Sequence, residues 1–304
     1  MQTKKKYVTP VASTIAFLLA GCGGGQAADS SVAIVAGPVA AVAPTPEPSP
    51  TPAPPPATGS VGGGSEADAE AAAARRAALP LPKIDLSDMR LWNWDGKWHA
   101  SEWNNGMGPI PWRFNRVSLS ANGDAVLRMD AEGAPQLQAM NGTPTAASGF
   151  WEADVTLPRL KEGVVVAPLW LYDQATGDEI DFEYAGRNGL DLTMHTRAAN
   201  GQMEHHSVRV FAGRDMSGER HRFGIRVHQG TGVAEMYLDG RLIHRWRRAN
   251  MSSFVSRPLK PWIEMWAADP NNGGFVGWVG RWAGFAPSES MTMTVHGYAQ
   301  GGDI

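Results

Sequence analysis

Three acidic residues alternate with apolar ones in one short segment of the sequence. Glu179, Asp181 and Glu183 stand at positions i, i+2 and i+4, with Ile180 and Phe182 between them. Because alternate side chains of a β-strand face the same side, a strand here places the three carboxyl groups in one row. Neighbouring carboxylates about 6–7 Å apart repel each other by about 2–3 kcal/mol at an effective dielectric constant near 20. Folding gains nothing from this row, which indicates a chemical role.

Hydrolysis of a glycosidic bond requires such a pair of carboxyl groups. A retaining enzyme uses two groups about 5–5.5 Å apart, and an inverting enzyme uses two about 6.5–9.5 Å apart. The α-carbons of Glu179 and Glu183 lie about 13 Å apart in a regular strand, so side chains that lean together leave both geometries open. Asp181 between them raises the proton affinity of its neighbours, which lets one carboxyl group stay protonated while another stays ionised.

The sequence after about residue 83 predicts the strands that hold this row. Short apolar or alternating runs are separated by turn residues, without a long amphipathic helical stretch. Asp239-Gly240 predicts a two-residue hairpin, and residues 121–124 (Ala-Asn-Gly-Asp) predict a similar turn. We therefore expect one all-β domain over residues 83–304, a jelly-roll sandwich of two antiparallel sheets. The predicted strands are 125–129, 149–157, 164–172, 179–184, 190–196, 206–211, 221–228, 233–238, 241–245 and 261–266.

Residues 179–186, Glu-Ile-Asp-Phe-Glu-Tyr-Ala-Gly, resemble the catalytic strand of family-16 glycoside hydrolases, and the Glu-x-Asp-x-Glu spacing resembles its lichenase type. Residues 233–245 and 263–266 resemble a later hairpin and a late strand of the family, so the resemblance spans roughly residues 90–300. It implies a concanavalin-like jelly roll with the substrate cleft on its concave face. It also implies that this is a retaining enzyme, with Glu179 as nucleophile, Asp181 as its assistant and Glu183 as general acid/base.

Two tryptophans are candidates for the wall of a sugar cleft, because sugars stack their C–H faces on aromatic rings. Trp170 lies near the end of the strand before the catalytic one, and Trp266 lies in the late strand. Core packing is the alternative for both. His195, on the strand after the catalytic one, is a candidate to hydrogen-bond Asp181 or the acid/base, and a structural histidine is the alternative.

A loop rich in glycine and proline contains further candidates for substrate binding. Trp103 lies in this loop next to Asn104-Asn105-Gly106, and Arg113 follows it. Resemblance to lichenases implies that Asn105 and Arg113 contact substrate on the glycone side of the cleft.

Composition excludes several classes of function. The net charge of −3 and the pI near 6.2 show no basic excess, so we expect no nucleic-acid partner. The single cysteine excludes an internal disulfide framework and a cysteine-based zinc site. We expect a monomer whose chemistry needs no metal. The family resemblance allows a structural calcium ion, whose ligands the sequence does not identify.

The N-terminal sequence predicts a secretion signal and a lipid anchor. Lysines 4–6 precede an apolar stretch, which ends at Leu19-Ala20-Gly21-Cys22, a sequence that resembles the lipobox of bacterial lipoproteins. We expect a signal peptide over residues 1–21, lipidation of Cys22 and attachment to the cell envelope, with Gly23 favouring the outer membrane. An ordinary signal peptide is the alternative. Residues 22–82, rich in proline, glycine and alanine, predict a tether for a periplasmic or extracellular domain, with a marginal helix at 65–78.

Three functions fit these observations. The first is a retaining endo-glycosidase acting on a β-1,3-1,4-glucan, a β-1,3-glucan or a bacterial exopolysaccharide. The second is a transglycosylase that uses the same residues. The third is a glycan-binding jelly roll without activity, which the presence of both Glu179 and Glu183 disfavours.

Overall fold

The computed structural model describes residues 66–86, 98–139 and 145–302 of the chain. The predicted signal peptide, Cys22 and the tether as far as residue 65 lie outside the described residues. None of the helices within the described ranges has the length and apolar character needed to cross a lipid bilayer. In chain order the elements are α1 (Glu66–Ala77), β1 (Trp98–Ala100), β2 (Val117–Leu119), β3 (Ala125–Met129), β4 (Gln136–Ala139), β5 (Gly149–Thr156), β6 (Val164–Asp173), β7 (Asp178–Ala185), β8 (Leu190–Arg197), β9 (Met203–Val210), β10 (Arg220–His228), β11 (Val233–Leu238), β12 (Arg241–Arg247), β13 (Lys260–Ala267), α2 (Gly273–Val279) and β14 (Met291–Gly301).

The strands form two antiparallel sheets, as the sequence predicted. The first sheet has the strand order β1-β4-β13-β6-β7-β8-β9, and the second has the order β12-β11-β10-β5-β14-β3-β2. Both sheets contain seven strands. The all-β jelly-roll prediction is confirmed, and each of the ten predicted runs coincides with a strand to within three residues at either end. The strands β1, β2, β4 and β14 were not predicted.

Turns with left-handed backbone conformations join neighbouring strands. Asp239 and Gly240 have φ angles of 53° and 75°, which confirms the predicted two-residue hairpin between β11 and β12. Gly123, with a φ angle of 77°, lies in the predicted turn between β2 and β3. Both turns return the chain directly to the neighbouring strand. The β2–β3 pair keeps one register, whereas the β11–β12 pair shifts its register between Met236 and Tyr237.

The helix α1 packs on the outer face of the second sheet, the face turned away from the first sheet. Ala73 of α1 contacts Phe150 and Tyr237, and the three form a small apolar cluster of their own. Gly240 lies so close to α1 that an added Cβ atom would meet the Cα atom of Ala74 at 2.8 Å. A helix rich in alanine can approach a hairpin this closely because its side chains are short.

This packing corrects the predicted role of residues 66–82. The sequence placed them in the tether because they lack a large apolar face, whereas the structure docks them on the folded part of the chain. Farther along the same segment, Ile84 and Leu86 enter the main core, and the carbonyl of Pro82 accepts a hydrogen bond from the backbone N–H of Tyr298 at 2.9 Å. The folded unit therefore extends upstream of residue 83, at least to Glu66.

Ion pairs fasten α1 to the sheet. Glu152 of β5 is only 2% exposed, and the Nε atom of Arg76 donates a hydrogen bond to its Oε2 atom at 2.9 Å. The guanidinium of Arg222 approaches the other carboxylate oxygen to 3.6 Å. A buried carboxylate needs such partners, because its transfer from water is costly when the charge is not compensated.

We expect Arg76→Met to destabilise the full-length protein, because Glu152 then keeps only the longer contact with Arg222. An incompletely paired buried carboxylate costs about 2 kcal/mol, which lowers the melting temperature of a domain of this size by about 4–8 °C. Thermal unfolding followed by circular dichroism measures the effect. Arg75→Met, on the exposed neighbouring position of α1, is the matched control and should leave the melting temperature within about 1 °C. Equal effects of the two substitutions would contradict the docking of α1.

Candidate active site

The predicted acidic row lies on β7, near the middle of the first sheet. β7 pairs with β6 on one side and with β8 on the other. Ile180 and Phe182 are fully buried, and Phe182 packs edge-to-face on Phe223 of the second sheet with ring centroids 5.2 Å apart. The alternation of the strand therefore turns the three acidic side chains to the outer face of the first sheet, the face opposite to the core. Their predicted sharing of one face is confirmed.

Burial dominates the protonation of the acidic row. Glu179 is 7% exposed and Asp181 is 1% exposed, whereas Glu183 is partly exposed. Burial raises the pKa of all three carboxyl groups above their usual values. The negative charges of Asp181 and Glu179 raise the pKa of Glu183 further, whereas the neighbouring His195 opposes the rise in the pKa of Glu179. Burial and the surrounding carboxyl groups thus favour the protonated form of Glu183, and burial raises the pKa of Glu179 to about 8 against the opposing charge of His195.

His195 lies directly opposite Glu179, on β8. Its Nε2 atom is 3.3 Å from Oδ2 of Asp181, and its Nδ1 atom contacts Nδ1 of His205 on β9. Although burial alone would lower it, the hydrogen bond to Asp181 and the charge of Glu179 hold the pKa of His195 above its usual value. Oδ1 of Asp181 accepts a hydrogen bond from the backbone N–H of Thr193 at 3.2 Å. The structure thus places His195 beside Asp181, which is one of the two contacts the sequence predicted.

An aromatic platform, formed by Trp170, Tyr172 and Trp262, lies next to the acidic row. Trp170 is the register partner of Asp181, and Trp262 is the register partner of Trp170. The two indole rings have centroids 5.0 Å apart at an interplanar angle of 30°, and Tyr172 packs against both. The Nε1 atom of Trp262 is buried without a hydrogen-bond partner among the described residues. Trp170 therefore lies beside the acidic row but is only 6% exposed within this cluster, and its role in the wall of a sugar cleft stays a prediction.

The row of side chains that contains Asp181 continues past the platform to β1. Gln138 is the register partner of Trp262, and His99 is the register partner of Gln138. Trp103 stacks on His99, with ring centroids 6.0 Å apart and an interplanar angle of 19°. From β1 to β7 the row crosses four inter-strand gaps of about 4.8 Å, which makes it about 19 Å long. That length suits a chain of several sugar units.

Asn105 and Arg113 lie in the segment between β1 and β2. Oδ1 of Asn105 accepts a hydrogen bond from the backbone N–H of Met107 at 2.9 Å, and its Nδ2 atom is buried without a partner among the described residues. Arg113 donates to the carbonyl of Trp112 at 2.9 Å and lies 3.6 Å from the carboxylate of Glu102. Local contacts hold both side chains, and their binding role stays a prediction.

Trp266 lies under α2. Its side chain is 2% exposed and packs on Phe275 and Trp278, with ring centroids 5.4 Å and 6.2 Å away. Oδ1 of Asn272 caps the helix by accepting hydrogen bonds from the backbone N–H groups of Gly274 and Phe275. The helix therefore covers the ring that was expected to line the cleft, and its contact with substrate stays a prediction.

Glu264 is a fourth carboxyl group on the outer face, and it was not among the residues chosen from the sequence. It is 4% exposed and is the register partner of Ala167 on β6. Nε2 of Gln136 donates a hydrogen bond to Oε2 of Glu264 at 2.5 Å, and Oγ of Ser101 donates to Oε1 of Gln136 at 2.5 Å. Burial raises the pKa of Glu264 to about 8, although the bond from Gln136 opposes the rise. At neutral pH this side chain is largely a neutral carboxylic acid.

Glu179, Asp181 and His195 are also a set that could hold a metal ion. Each offers one donor atom, and these atoms lie within 4.8 Å of one another. Two carboxylates and an imidazole suit a transition metal ion. The buried Oε2 atom of Glu179, which has no hydrogen-bond partner among the described residues, would then bind the metal and be unable to attack a substrate. The prediction of metal-free chemistry requires this oxygen to stay uncoordinated.

Known proteins resemble this chain in sequence profile and in fold. The sequence profile described as "Glycosyl hydrolases family 16" matches residues 104–283, which include β7 and its neighbouring strands. No curated protein shows significant similarity to the chain.

Solved structures share the fold at low sequence identity. The β-glucanase of Bacillus licheniformis is 18% identical with a TM-score of 0.54, over 71% of this chain and 96% of that one. A family-16 enzyme of a mixed-linkage glucan locus of Bacteroides ovatus, bound to a G4G4G3G product, is 14% identical with a TM-score of 0.54, over 67% and 94%. The laminarinase catalytic domain of Thermotoga maritima is 16% identical with a TM-score of 0.52, over 73% and 98%. At these identities the likeness shows a common fold.

We expect Glu264→Gln to stabilise the protein at alkaline pH. The pKa of Glu264 is about 8 in the folded state against an ordinary value of 4.5. Between these values the folded state binds more protons than the unfolded state, so the stability that this group contributes falls as the pH rises. Glutamine keeps an acceptor for Gln136 and does not ionise. Relative to the wild type, the free energy of unfolding of the variant should therefore rise between about pH 4.5 and about pH 8 and stay higher above pH 8, by at most about 5 kcal/mol.

Melting temperatures at about pH 4 and about pH 9 test this expectation, because the variant should differ from the wild type only at the higher pH. Glu132→Gln, on a side chain that is 87% exposed, is the control for the loss of a carboxyl group at the surface. An equal shift for Glu264→Gln at both pH values would contradict the assigned cause.

Proposed function

Because the chain belongs to family 16 of the glycosyl hydrolases, we propose that it hydrolyses internal β-glycosidic bonds of a polysaccharide with retention of configuration. The observation that carries this proposal is the arrangement of Glu179 and Glu183. They share the outer face of a central strand. On β8, His195 lies across from Glu179 and Asp191 lies across from Glu183, so the two glutamates have neighbours of different charge. A retaining mechanism needs such a pair, with one carboxyl group ionised and the other protonated.

The neighbours of the two glutamates support the division of roles. His195, opposite Glu179, is a cation when protonated and favours the ionised form of that side chain. Asp181 and Glu264 favour the protonated forms of both glutamates, so the imidazole opposite Glu179 is the neighbour that distinguishes the two. Glu179 is thus the nucleophile and Glu183 the general acid, in agreement with the roles that the family resemblance implies.

The reaction proceeds in two displacements. The carboxylate of Glu179 attacks the anomeric carbon while Glu183 transfers its proton to the departing glycosidic oxygen, which forms a glycosyl ester and releases the aglycone. The ionised Glu183 then takes a proton from a water molecule, whose oxygen attacks the same carbon and frees Glu179. Each step inverts the configuration, so the product retains that of the substrate, and both glutamates regain their first protonation states.

Asp181 and His195 support the nucleophile. Asp181 is fixed by the backbone N–H of Thr193 and lies 3.3 Å from the imidazole of His195. Glu179 loses its negative charge when it forms the ester. The charges of Asp181 and His195 stay in place beside it, which limits the electrostatic cost of the step.

We propose a β-glucan as the substrate class. The platform of Trp170, Tyr172 and Trp262, whose side chains are 5–8% exposed, lies beside the acidic row, and aromatic rings are the groups on which the C–H faces of glucose rings stack. The similar structures include a β-glucanase and a laminarinase by name. A β-1,3-1,4-glucan, a β-1,3-glucan or a bacterial exopolysaccharide with such linkages is consistent with a row that extends across several strands.

The remaining proposals concern the setting of the enzyme. Family-16 catalysis needs no cofactor, and we retain a structural calcium ion as a proposal. We also propose that the protein is a monomer held at the cell envelope, most simply at the outer membrane, by a lipid on Cys22. The sequence Leu19-Ala20-Gly21-Cys22 supports this anchor.

Release of reducing sugar from defined polysaccharides tests the proposed function. The panel contains lichenan, laminarin, xyloglucan, agarose, carrageenan and bacterial exopolysaccharides. We expect a rapid fall in viscosity of a β-glucan with little free monosaccharide, as internal cleavage requires. Longer products than the substrate would indicate a transglycosylase, and binding without release would indicate a glycan-binding protein.

Substitutions of the two glutamates should abolish turnover and leave the fold intact. We expect Glu179→Gln and Glu183→Gln to lower kcat by at least about 10³-fold, because each removes a group that acts in the transition state. Circular dichroism and melting temperature check the fold.

Azide rescue distinguishes the two roles. With an activated aryl glycoside and azide, Glu179→Ala should give a glycosyl azide of inverted configuration, because azide attacks in place of the missing nucleophile. Glu183→Ala should give one of retained configuration, because azide attacks the glycosyl ester. The reverse pattern would exchange the roles, and activity near that of the wild type in either variant would contradict the site.

A further inference from the structure

Asp191 stands next to the proposed acid but belongs to no part of the mechanism described so far. It is the register partner of Glu183 on β8, so the two side chains lie side by side on the outer face. Asp191 is 7% exposed. Like the acidic residues within β7, Asp191 and Glu183 are carboxyl groups that lie close together, here on two neighbouring strands, and this proximity costs free energy.

Three hydrogen bonds fix the Asp191 carboxylate from two other elements. Arg209 of β9 forms a bidentate pair with it, in which Nε donates to Oδ1 at 2.7 Å and Nη2 donates to Oδ2 at 2.6 Å. The indole Nε1 atom of Trp278 in α2 donates to Oδ2 at 2.8 Å. A bidentate guanidinium pair sets the orientation of a carboxylate as well as its charge.

The helix α2 adds rigidity to this arrangement. Trp278 packs against Phe275 and Trp266, with ring centroids 6.5 Å and 6.2 Å away. Because Trp266 belongs to β13 and Asp191 to β8, α2 bridges the two flanks of the acidic row. Asp191 therefore stands in a fixed position relative to Glu183.

We propose that Asp191 is a positioning residue for the reaction, which holds the proton on Glu183 through its fixed negative charge and thereby maintains the general acid. This proposal rests on the proposed function. It differs from a purely structural role, because it assigns a chemical effect to the charge of Asp191 in addition to the contacts of its carboxylate.

The other groups around Glu183 cannot replace this effect. Glu179 of its own strand loses its charge when the ester forms, Asp181 lies 3.3 Å from the imidazole of His195, and burial raises the pKa of Glu264, across the small Ala167, to about 8. Asp191, which is paired with the cation of Arg209, takes no part in bond making. Its charge therefore persists through both displacements and acts on Glu183 from the neighbouring strand, and the charge of that guanidinium on β9 partly offsets it.

Asp191→Asn tests the proposal, because it removes the charge and keeps an acceptor for Trp278. The alkaline limb of the kcat/KM profile reports loss of the proton from the free enzyme's acid. We expect this limb to move to lower pH by about one unit, since a neighbouring charge shifts a pKa by this order. With an aryl glycoside whose leaving group needs no protonation, the loss of activity should be at least about tenfold smaller than with glucan.

Asp154→Asn is the matched control. Asp154 forms a similar bidentate pair with Arg220 on the second sheet, at 2.8 Å and 2.7 Å. The control should lose stability as Asp191→Asn does and keep the pH profile of the wild type. Asp191→Glu, which restores the charge, should move the limb back towards the wild-type position.

A second variant keeps the test decisive if Asp191→Asn folds poorly. Arg209→Gln leaves the charge of Asp191 without its cation, so the alkaline limb should move to higher pH, opposite to Asp191→Asn. An unchanged limb in both folded variants, with equal losses for glucan and aryl glycoside, would overturn the proposal and leave Asp191 a structural residue. Failure of the wild type to release sugar would instead overturn the proposed function, so the two failures are distinguishable.

Discussion

The desolvation of three adjacent carboxyl groups on β7 is the constraint on which the rest of the site depends. Burial and mutual repulsion both oppose their charge, so a central position in the sheet is possible only if protons, dipoles or cations compensate. The chain uses a backbone N–H group and a histidine at Asp181 and leaves Glu183 to retain a proton. The inner face of the same strand, where Phe182 packs on Phe223, supplies apolar burial that offsets the cost.

The second sheet shows that this chain neutralises buried carboxylates where chemistry does not need them. Glu235 is fully buried and accepts hydrogen bonds from Arg226 at 2.9 Å, Arg245 at 2.5 Å and Tyr237 at 2.8 Å. Although burial alone would raise it, these donors hold the pKa of Glu235 below its usual value. Among the described residues, neither arginine nor lysine forms an ion pair with the acidic row of β7. On the first sheet Arg209 neutralises Asp191 in the same way, so the acidic row of β7 differs from both Glu235 and Asp191 in having no guanidinium partner among the described residues.

The sequence predicted those features of the structure that depend on a local pattern of residues. The alternation around Ile180 and Phe182 gave the face of the row, and Asp239-Gly240 gave a hairpin, because each feature follows from backbone geometry alone. The strand β14, Met291–Gly301, was missed even though its alternation of methionine and threonine is the pattern of a half-buried strand. Glu264 carried a similar signal, since it stands two residues after Trp262 on a strand whose intervening Ile263 is buried. The docking of α1 had no local signal, because it depends on a distant Glu152.

The roles within the motif depend on register rather than on sequence. Glu-x-Asp-x-Glu reads the same in both directions, so the residue types alone give no reason to choose one glutamate as nucleophile and the other as acid. Antiparallel pairing with β8 breaks this symmetry, because it sets His195 opposite Glu179 and Asp191 opposite Glu183. A shift of β8 by two residues would keep every side chain on its own face and still move either His195 or Asp191 to the position opposite Asp181. The chemistry of β7 is therefore specified as much by whatever fixes the register of β8 as by the three acidic residues themselves.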